Sequence, residues 1–341
     1  MRALVKADSG PGLQLTEVPI PSVGPGQVRV KVFAGGICGT DLHIYTWDPW
    51  ARARIHPPRV IGHEFAGTVV EAAADVSLVA VGEFVAGEGH IACGACPSCR
   101  QGRPHICERL QIIGVDRDGA FADYVVMPAT NAWKLAPAIS REVAAIMDPL
   151  GNAVHAALET SLAAQAVAII GCGPIGLMAI LICRMAGAAF IAATDVHDYR
   201  LGLARRLGAD LVLDARKEDV PTRIREATGG TGVDVVLEMS GSSHGLSDGL
   251  RALRNGGWVS LLGLPSSKVE LDLADTVIFK ETHLAGIFGR KLWQTWEQAT
   301  RLLSLGLDVS PIITHRLPLE RFEEAFALLQ SGAAGKVILY L

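Results

Sequence analysis

The sequence lacks any uninterrupted apolar run long enough to span a bilayer, which takes about 18 residues or more. The segment that comes closest, AVAIIGCGPIGLMAILIC, is interrupted by glycines and by Pro174, which mark a strand, a turn and a helix. The first residues, MRALVKADSGPG, lack the long apolar segment of a secretory signal. We therefore expect no membrane contact, a cytoplasmic location and cysteine thiols that stay reduced.

The chain also lacks an excess of basic residues. It carries 31 Lys and Arg against 35 Asp and Glu, for a net charge of −4 and a pI near 6.2. This balance argues against a nucleic-acid partner, which typically requires a basic face. Short internal repeats and low-complexity tracts are absent as well. With 341 residues, 50% hydrophobic and 19% charged, the chain is expected to form a globular enzyme of two domains.

Cysteine, by contrast, is concentrated in one place. Four of the seven cysteines follow the spacing C-x2-C-x2-C-x7-C, at Cys93, Cys96, Cys99 and Cys107. Four thiolates suit the tetrahedral coordination of a structural zinc ion, and the Gly and Pro residues between them favour a loop. The alternative is a pair of disulfides, which a reducing compartment disfavours. A zinc ion closed by four thiolates has no open position, so any chemistry must lie elsewhere in the chain.

The pattern of strands and helices changes partway along the chain. Residues 1 to about 145 alternate short β-like runs with Gly and Pro turns, which is typical of a small barrel or sandwich. From about residue 165, apolar strands such as AVAII and VDVVLEMS alternate with helical segments. This alternation predicts βαβ units and a doubly wound parallel sheet in an α/β fold. The last strand-like run, KVILYL, is a candidate to rejoin the first domain.

A Gly-x-Gly-x-x-Gly motif follows the strand AVAII and opens a helix, at Gly171, Gly173 and Gly176. The first glycine suits a tight turn, the second a close approach of backbone to a pyrophosphate, and the third tight packing of helix on strand. Asp195 ends the next strand, where a carboxylate binds ribose hydroxyls and repels a 2′-phosphate, so NAD is expected over NADP. A nearby arginine such as Arg200 can accommodate a 2′-phosphate, but with Asp195 present we expect Arg200 to cover the ribose or adenine. The alternative is a turn that binds nothing.

A second set of metal-binding residue types is spread along the chain. Cys38 lies in GGICGTDLHIY, His63 and Glu64 lie in VIGHEFAG, and Asp148 lies in IMDPLGNAVH. Catalytic zinc commonly takes three protein ligands and keeps one position open. Neighbouring residues of an ideal strand point to opposite faces, so His63 and Glu64 reach one metal only if the chain turns, which Gly62 permits. Glu64 is therefore a ligand, an exchangeable ligand or a group that contacts a ligand, and Asp148 has the same ambiguity.

The motifs GGICGTDLHIY and GHEFAG, the lobe of four cysteines, GCGPIG and Asp195 follow one another in this order. Together they make the chain resemble the zinc-dependent medium-chain dehydrogenases over essentially its whole length. The resemblance implies a GroES-like, β-rich catalytic domain over residues 1–145, with a structural zinc lobe at 88–108. It also implies a Rossmann NAD-binding domain over 146–290, and a C-terminal segment, 291–341, that returns to the catalytic domain.

The resemblance assigns roles to the metal-binding residues. The ligands of a catalytic zinc fall on Cys38, His63 and Glu64, and Asp148 matches an acidic group close to the metal that relays protons rather than binding directly. The ligands of a structural zinc fall on the four clustered cysteines. Two zinc ions per chain are therefore implied.

The resemblance also assigns a proton relay and a cofactor site. Thr40 and His43 would pass the substrate proton outward, and their alternative roles are a turn-stabilising threonine and a surface histidine. The residues assigned to NAD are Gly171, Gly173, Ile175, Gly176, Asp195, Arg200, Leu262, Gly263, Leu264, Gly286 and Ile287.

Further matches, among them ICGTDLHIYTWDPWA, MDPLGNAVHAAL, LEMSG and GIFGR, narrow the expected substrate. Within the superfamily they resemble enzymes that oxidise the secondary hydroxyl of L-threonine to 2-amino-3-oxobutanoate with NAD. Alcohol dehydrogenases whose zinc is held by two cysteines and a histidine carry a cysteine where this chain has Asp148, and this departure favours polyols or amino alcohols. The nearest alternative is a polyol or butanediol dehydrogenase, and a more distant one is a cofactor sensor without catalysis. The resemblance also implies a homotetramer.

Overall fold

The computed structural model describes residues 1–265 and 267–341, which form two compact units. The first unit consists of Met1–Pro149, Ile313–Ser331 and Lys336–Leu341, and the second of Leu150–Ile312 and Gly332–Gly335.

Strands are distributed over both units. In chain order they are β1 Arg2–Lys6, β2 Gln14–Glu17, β3 Gln27–Gly36, β4 Arg59–Val60, β5 Glu64–Ala72, β6 Phe84–Gly87, β7 His90–Ile91, β8 Gln111–Ile112, β9 Tyr124–Pro128, β10 Ala132–Lys134, β11 Ala166–Ile170, β12 Phe190–Asp195, β13 Leu211–Asp214, β14 Val233–Glu238, β15 Leu253–Leu261, β16 His283–Gly286, β17 Ile313–Pro318 and β18 Lys336–Tyr340.

Helices flank the strands in both units. The α-helices are α1 Gly39–Thr46, α2 Pro49–Arg54, α3 Pro97–Arg100, α4 Arg141–Ala145, α5 Met147–Ala157, α6 Pro174–Met185, α7 Asp198–Arg206, α8 Val220–Ala227, α9 Ser243–Ala252, α10 Gln294–Ser304 and α11 Phe322–Gln330. Short 3₁₀ turns lie at Pro104–Ile106, Ala129–Asn131, Ser310–Ile312 and Leu319–Arg321, and a π-helical turn at Ala274–Ile278. None of the helices within residues 1–265 and 267–341 combines the length and the apolar character that crossing a bilayer requires.

The main sheet of the first unit has the order β10-β6-β5-β3-β18-β17, and β9 also pairs with β3. Side chains of β3 alternate between its two faces, because Val28, Val30 and Val32 are buried while Lys31 is exposed. The period of two places one face of the strand against a core. These valines belong to one apolar cluster with Phe65 of β5, which anchors the strand that begins with the candidate metal ligand Glu64.

The C-terminal segment completes this sheet. β18 pairs antiparallel with β3, with Ile338 opposite Gly36, and β17 lies parallel to β18. The pairing brings Lys336, the first residue of β18, beside Ile37, whose carbonyl accepts a hydrogen bond from Lys336 Nζ at 2.9 Å. A residue near the end of the chain is thereby placed next to the segment that follows β3.

The return to the first unit begins later than the family resemblance implies. It starts at Ile313, whereas the expected segment starts at residue 291. The helix α10 lies between these positions, buries Trp296 and Ala299, and is part of the second unit. An amphipathic helix has the same sequence pattern whether its apolar face packs on the second unit or on the first.

The second unit contains a parallel sheet with the order β13-β12-β11-β14-β15-β16. This is the 3-2-1-4-5-6 order of a doubly wound Rossmann sheet, so the predicted α/β fold class is confirmed. The central strand β11 is buried from Val167 to Ile170, as expected for a sheet covered on both faces. The strand order reverses between β11 and β14, and ligands of such sheets bind at the carboxyl ends beside that point.

Candidate active site

Three candidate metal ligands converge in the first unit. One ligand atom from each of Cys38, His63 and Glu64 lies within 4.8 Å of the others. Cys38 follows β3 and forms the N-cap of α1, and Glu64 opens β5 opposite Gly36 of β3. Gly62, at φ 96°, makes the turn that brings His63 and Glu64 to the same place. The chain therefore makes the turn that His63 and Glu64 need in order to reach one metal ion.

Asp41, which sequence reasoning missed, links two of these ligands. Its Oδ2 accepts a hydrogen bond from the backbone N–H of Cys38 at 2.8 Å, and its Oδ1 faces Nδ1 of His63 at 3.5 Å. A carboxylate behind a metal-binding imidazole orients the ring. Burial opposes protonation of His63, but the Asp41 carboxylate and the Cys38 thiol outweigh it and raise the pKa of His63 well above its usual value. The available signal was the capping-box spacing from Cys38 to Asp41.

Glu64 forms a buried ion pair that the sequence did not indicate. Lys336 Nζ donates to Glu64 Oε2 at 2.7 Å and to Glu64 Oε1 at 2.9 Å, and both side chains are buried. Burial opposes the charged form of Lys336, but the Glu64 carboxylate and then Cys38 outweigh it and raise the pKa of Lys336. Glu64 therefore has two competing partners, the ammonium of Lys336 and the position enclosed by Cys38 and His63.

Asp148 lies beside this cluster. It belongs to the first turn of α5 and is buried. A Cβ built on Gly89 would stand 3.6 Å from Asp148 Oδ2 and 3.4 Å from His63 Cβ, so the carboxylate and the imidazole flank the same glycine. Among the described residues, however, the group that shares the 4.8 Å limit is Cys38, His63 and Glu64 without Asp148.

The donor set of this site fits a zinc ion. A thiolate, an imidazole and a carboxylate are zinc ligand types, and three of them leave a fourth position for a substrate. The acidic side chains of Asp41 and Glu64 are buried together with His63, and Lys336 is the cation bound to one of them. Ligands that surround a buried position with negative charge favour a divalent cation there.

The two predicted relay residues lie on α1 one turn apart. Thr40 Oγ1 is 3.9 Å from the Sγ of Cys38, and the side chain of His43 is 48% exposed. Residues three apart share a helix face. Thr40 therefore lies beside the candidate metal site and His43 lies nearer to solvent, as the predicted relay requires.

The four clustered cysteines lie in a lobe with β7, β8 and α3. Their Sγ atoms all lie within 4.8 Å of one another, and those of Cys96 and Cys107 are 3.9 Å apart. A tetrahedron with Zn–S bonds of about 2.3 Å has edges of about 3.8 Å, so the cluster fits a zinc ion. All seven cysteines, each within the described residues, are free thiols, which excludes the disulfide alternative.

The thiols of this cluster differ in pKa because their hydrogen bonds and burial differ. The N–H groups of Ala95 and Cys96 lie 3.5 and 3.4 Å from Cys93 Sγ and lower the pKa of Cys93 to about 6. Burial and the neighbouring thiols raise the pKa of Cys99 to about 12. Arg109, another residue missed from sequence, places a guanidinium nitrogen 3.4 Å from Cys93 Sγ. Four thiolates this close repel one another, and a zinc ion at their centre would remove that cost.

Replacing Cys96 by serine is expected to release zinc from the lobe and to loosen residues 88–108, because three thiolates hold the metal less tightly than four. Metal analysis and hydrogen exchange of the lobe measure the two effects. Cys183→Ser is the matched control, since Cys183 is a buried thiol in α6 and should leave the zinc content of the protein unchanged. Unchanged zinc content and unchanged protection in the Cys96 variant would count against a structural zinc.

The glycine motif of the second unit has the geometry of a phosphate-binding turn. Gly171 follows β11 at φ 96°, and a Cβ there would meet Ser240 at 2.8 Å. A Cβ on Gly176 would meet the carbonyl oxygen of Gly171 at 2.0 Å. A Cβ on Gly173, by contrast, would meet no atom of the described residues within 4 Å, and this glycine is the N-cap of α6. Free space at a helix N-terminus suits a pyrophosphate.

Asp195 ends β12 and supports this turn. Its Oδ2 accepts a hydrogen bond from the N–H of Cys172 at 2.7 Å. Its Oδ1 accepts from the N–H groups of Val196 and His197 at 2.7 and 2.9 Å and lies 2.9 Å from His197 Nδ1. The sequence indicated a ribose-binding carboxylate, whereas the structure adds that Asp195 holds the glycine turn in place.

A cavity of about 320 Å³ adjoins the turn, and Gly171, Gly173, Asp195 and Arg200 line it. The remaining predicted cofactor residues stand near the carboxyl ends of neighbouring strands: Leu262, Gly263 and Leu264 follow β15, Gly286 ends β16, and Ile287 follows it. Ile175 lies in the first turn of α6. The structure therefore places these residues at the sheet edge where dinucleotides bind in this fold.

Comparisons with known proteins relate both parts of the chain to dehydrogenases. The family model "Alcohol dehydrogenase GroES-like domain" matches residues 24–137, and "Zinc-binding dehydrogenase" matches residues 174–304. An L-threonine 3-dehydrogenase from Symbiobacterium thermophilum is 50% identical over 341 residues, which cover 99% of this chain and 97% of the relative.

Two solved structures show the same fold. One is described as a short chain alcohol dehydrogenase from E. coli CFT073 complexed with NADH; it has a TM-score of 0.91 at 28% identity and covers 100% of this chain and 99% of its own. The other is 2R,3R-butanediol dehydrogenase from Bacillus subtilis, with a TM-score of 0.88 at 28% identity over 100% of this chain and 99% of its own.

The chain is an enzyme that belongs to the zinc-dependent medium-chain alcohol dehydrogenases. Within that superfamily it is similar along its whole length to proteins named L-threonine 3-dehydrogenase. The predicted family and the predicted combination of a GroES-like and a Rossmann fold are confirmed.

Proposed function

We propose that the chain oxidises the secondary hydroxyl of L-threonine to 2-amino-3-oxobutanoate and reduces NAD in the same reaction. The observation that carries this proposal is the 50% identity to an L-threonine 3-dehydrogenase over 99% of the chain. The butanediol dehydrogenase, which represents the alternative substrate class, is 28% identical. The cluster of Cys38, His63 and Glu64 and the glycine turn beside Asp195 support the chemistry.

Cys38 and His63 would hold the catalytic zinc, with Glu64 as the third candidate ligand. Zinc, when bound, polarises a hydroxyl oxygen and lowers the pKa of its proton. Asp41 keeps the imidazole of His63 in place and holds the backbone of Cys38. His63, Glu64 and Asp41 are buried and Cys38 is half-buried, which strengthens the charge interactions inside the site.

Oxidation of a secondary alcohol removes one hydride and one proton. The glycine turn and Asp195 would hold the pyrophosphate and the adenosine ribose of NAD, which would supply the hydride acceptor. The proton leaves along α1, where the hydroxyl of Thr40 lies beside Cys38 and the imidazole of His43 reaches solvent. Asp148, beside His63, is positioned to assist that transfer.

The proposal includes two zinc ions per chain, one at Cys38, His63 and Glu64 and one in the cysteine lobe. Free thiols and thiolate metal sites suit a reducing, cytoplasmic compartment.

The proposal also includes a homotetramer. β16 is an edge strand of the parallel sheet, and apolar side chains beside it are exposed at Ile278, Phe279, Leu284 and Phe288. Unpaired strand groups flanked by apolar side chains suit pairing with a second copy of the chain.

An NADH-production assay tests the proposed reaction. L-Threonine with NAD should give the highest kcat/KM among L-threonine, sorbitol, xylitol and 2,3-butanediol. NADP should be used about 10³-fold less well, because a 2′-phosphate about 4 Å from the Asp195 carboxylate costs about 4 kcal/mol at an effective dielectric constant of 20. Preference for a polyol would replace the proposed substrate, and equal use of NADP would remove the selectivity role of Asp195.

A further inference from the structure

His43 has a close carboxylate partner that the relay described above does not explain. Nδ1 of His43 lies 2.6 Å from Oδ2 of Asp48. The chain reverses at Trp47, which ends α1 in the left-handed conformation at φ 58°. The N–H of Asp48 then donates to the carbonyl of His43 at 3.3 Å, which brings the carboxylate back over the helix. The contact is thus built by the local fold and not by two long, mobile side chains.

The second carboxylate oxygen of Asp48 also accepts a hydrogen bond. Oδ1 accepts the N–H of Ala51 at 2.9 Å, which makes Asp48 the N-cap of α2. With one oxygen fixed by the helix and the other by the imidazole, the carboxylate has one orientation. The ring of Trp50 lies 6.0 Å from that of His43, centroid to centroid, at a tilt of 53°. The segment from Trp47 to Trp50 therefore holds the histidine ring from two directions.

Charge determines which ring nitrogen carries the proton. Burial raises the pKa of Asp48, but the hydrogen bond from Ala51 and the interaction with His43 outweigh it, so the pKa of Asp48 lies below its usual value. An ionised carboxylate only accepts hydrogen bonds. Nδ1 of the neutral imidazole must then be the N–H donor, and Nε2 keeps its lone pair.

We propose that Asp48 is a positioning residue for the proton relay, because it fixes His43 in the tautomer whose Nε2 can take up a proton. The proposal rests on the relay of the proposed function. The proton released by the substrate hydroxyl would bond to Nε2 and form an imidazolium, and Nε2 would then release a proton to solvent water, while Nδ1–H stays bonded to Asp48. Asp48 accepts a hydrogen bond throughout and stays ionised.

Asp48→Asn separates this role from helix capping. The amide oxygen still caps Ala51, but the amide nitrogen donates to Nδ1, which moves the ring proton to Nε2 and blocks proton uptake there. With zinc-loaded full-length enzyme and L-threonine, kcat should fall about 10²-fold while KM and zinc content stay unchanged. The ¹⁵N resonances of His43, assigned by comparison with His43→Ala, should show a proton on Nδ1 in the parent protein and on Nε2 in the variant.

Asp219→Asn is the matched control. Asp219 caps α8 through the N–H of Thr222, far along the chain from His43, and its replacement should change neither kcat nor the His43 resonances. Asp48→Ser is a second variant, in case Asp48→Asn does not fold: the hydroxyl caps the helix but ends short of the ring, so kcat should fall with KM unchanged.

Two results would overturn the proposal. One is an unchanged His43 tautomer in Asp48→Asn, and the other is a kcat within twofold of the parent in both Asp48 variants. A parent protein that makes no NADH from L-threonine would refute the proposed function instead, and the tautomer measurement would still decide whether Asp48 controls the ring.

Discussion

Cys38→Ser is expected to lower kcat with L-threonine by about 10³-fold or more. Lewis-acid stabilisation by a bound zinc ion contributes several kcal/mol to the transition state, and about 4 kcal/mol corresponds to that factor. Serine supplies a hydroxyl where zinc binds a thiolate, so the cluster with His63 and Glu64 would lose its strongest donor. The measurements are steady-state kinetics and zinc content, which should fall by one ion per chain.

The control for this variant is Cys183→Ser, a buried cysteine of α6 that should keep both turnover and zinc content. Binding of NAD, measured by fluorescence titration, should persist in Cys38→Ser because the glycine turn is built within the second unit. A Cys38 variant with full activity and full zinc content would remove this residue from the metal site.

Lys336→Met is expected to lower the free energy of unfolding of the first unit by about 3–5 kcal/mol, because it leaves the buried carboxylate of Glu64 without its cation. For a unit of this size the loss corresponds to a decrease of roughly 6–20 °C in Tm. Thermal and urea unfolding measure it. Lys31→Met is the matched control, since Lys31 is exposed on the central strand β3 and its replacement should change stability by less than about 0.5 kcal/mol.

The double variant Glu64→Gln, Lys336→Met tests the cause of that loss. Removing both charges takes away the unpaired carboxylate, so much of the stability should return. A single Lys336→Met variant that unfolds like the parent protein, or a double variant that is no more stable than the single one, would contradict the buried ion pair.

The Rossmann unit could be predicted in detail because its signals are local. A strand, three glycines and a helix lie within one short segment, and the structure shows a steric reason for glycine at Gly171 and Gly176 and open space beside Gly173. The role of Asp195 was only half predicted. Its proposed ribose-binding role follows from spacing, whereas its hydrogen bond to Cys172 depends on how two strand ends meet in space.

The first unit was harder to predict because its sheet pairs distant segments. Alternating valines identified β3 as a strand, but no local pattern announces that β18 pairs with it. For the same reason the end of the second unit was placed before α10, although this helix is part of that unit.

Residue types and spacing determined the zinc-ligand candidates, the glycine turn and the α/β class, and the resemblance of longer motifs identified the family. Tertiary structure decided how those groups are supported: Lys336 against Glu64, Asp41 against His63, and Asp48 against His43. The difference has a physical reason. Metal ligands and tight turns require particular residue types at particular positions, so a short stretch of sequence is enough to predict them. A charge partner needs only to lie within a few ångströms and can come from any part of the chain.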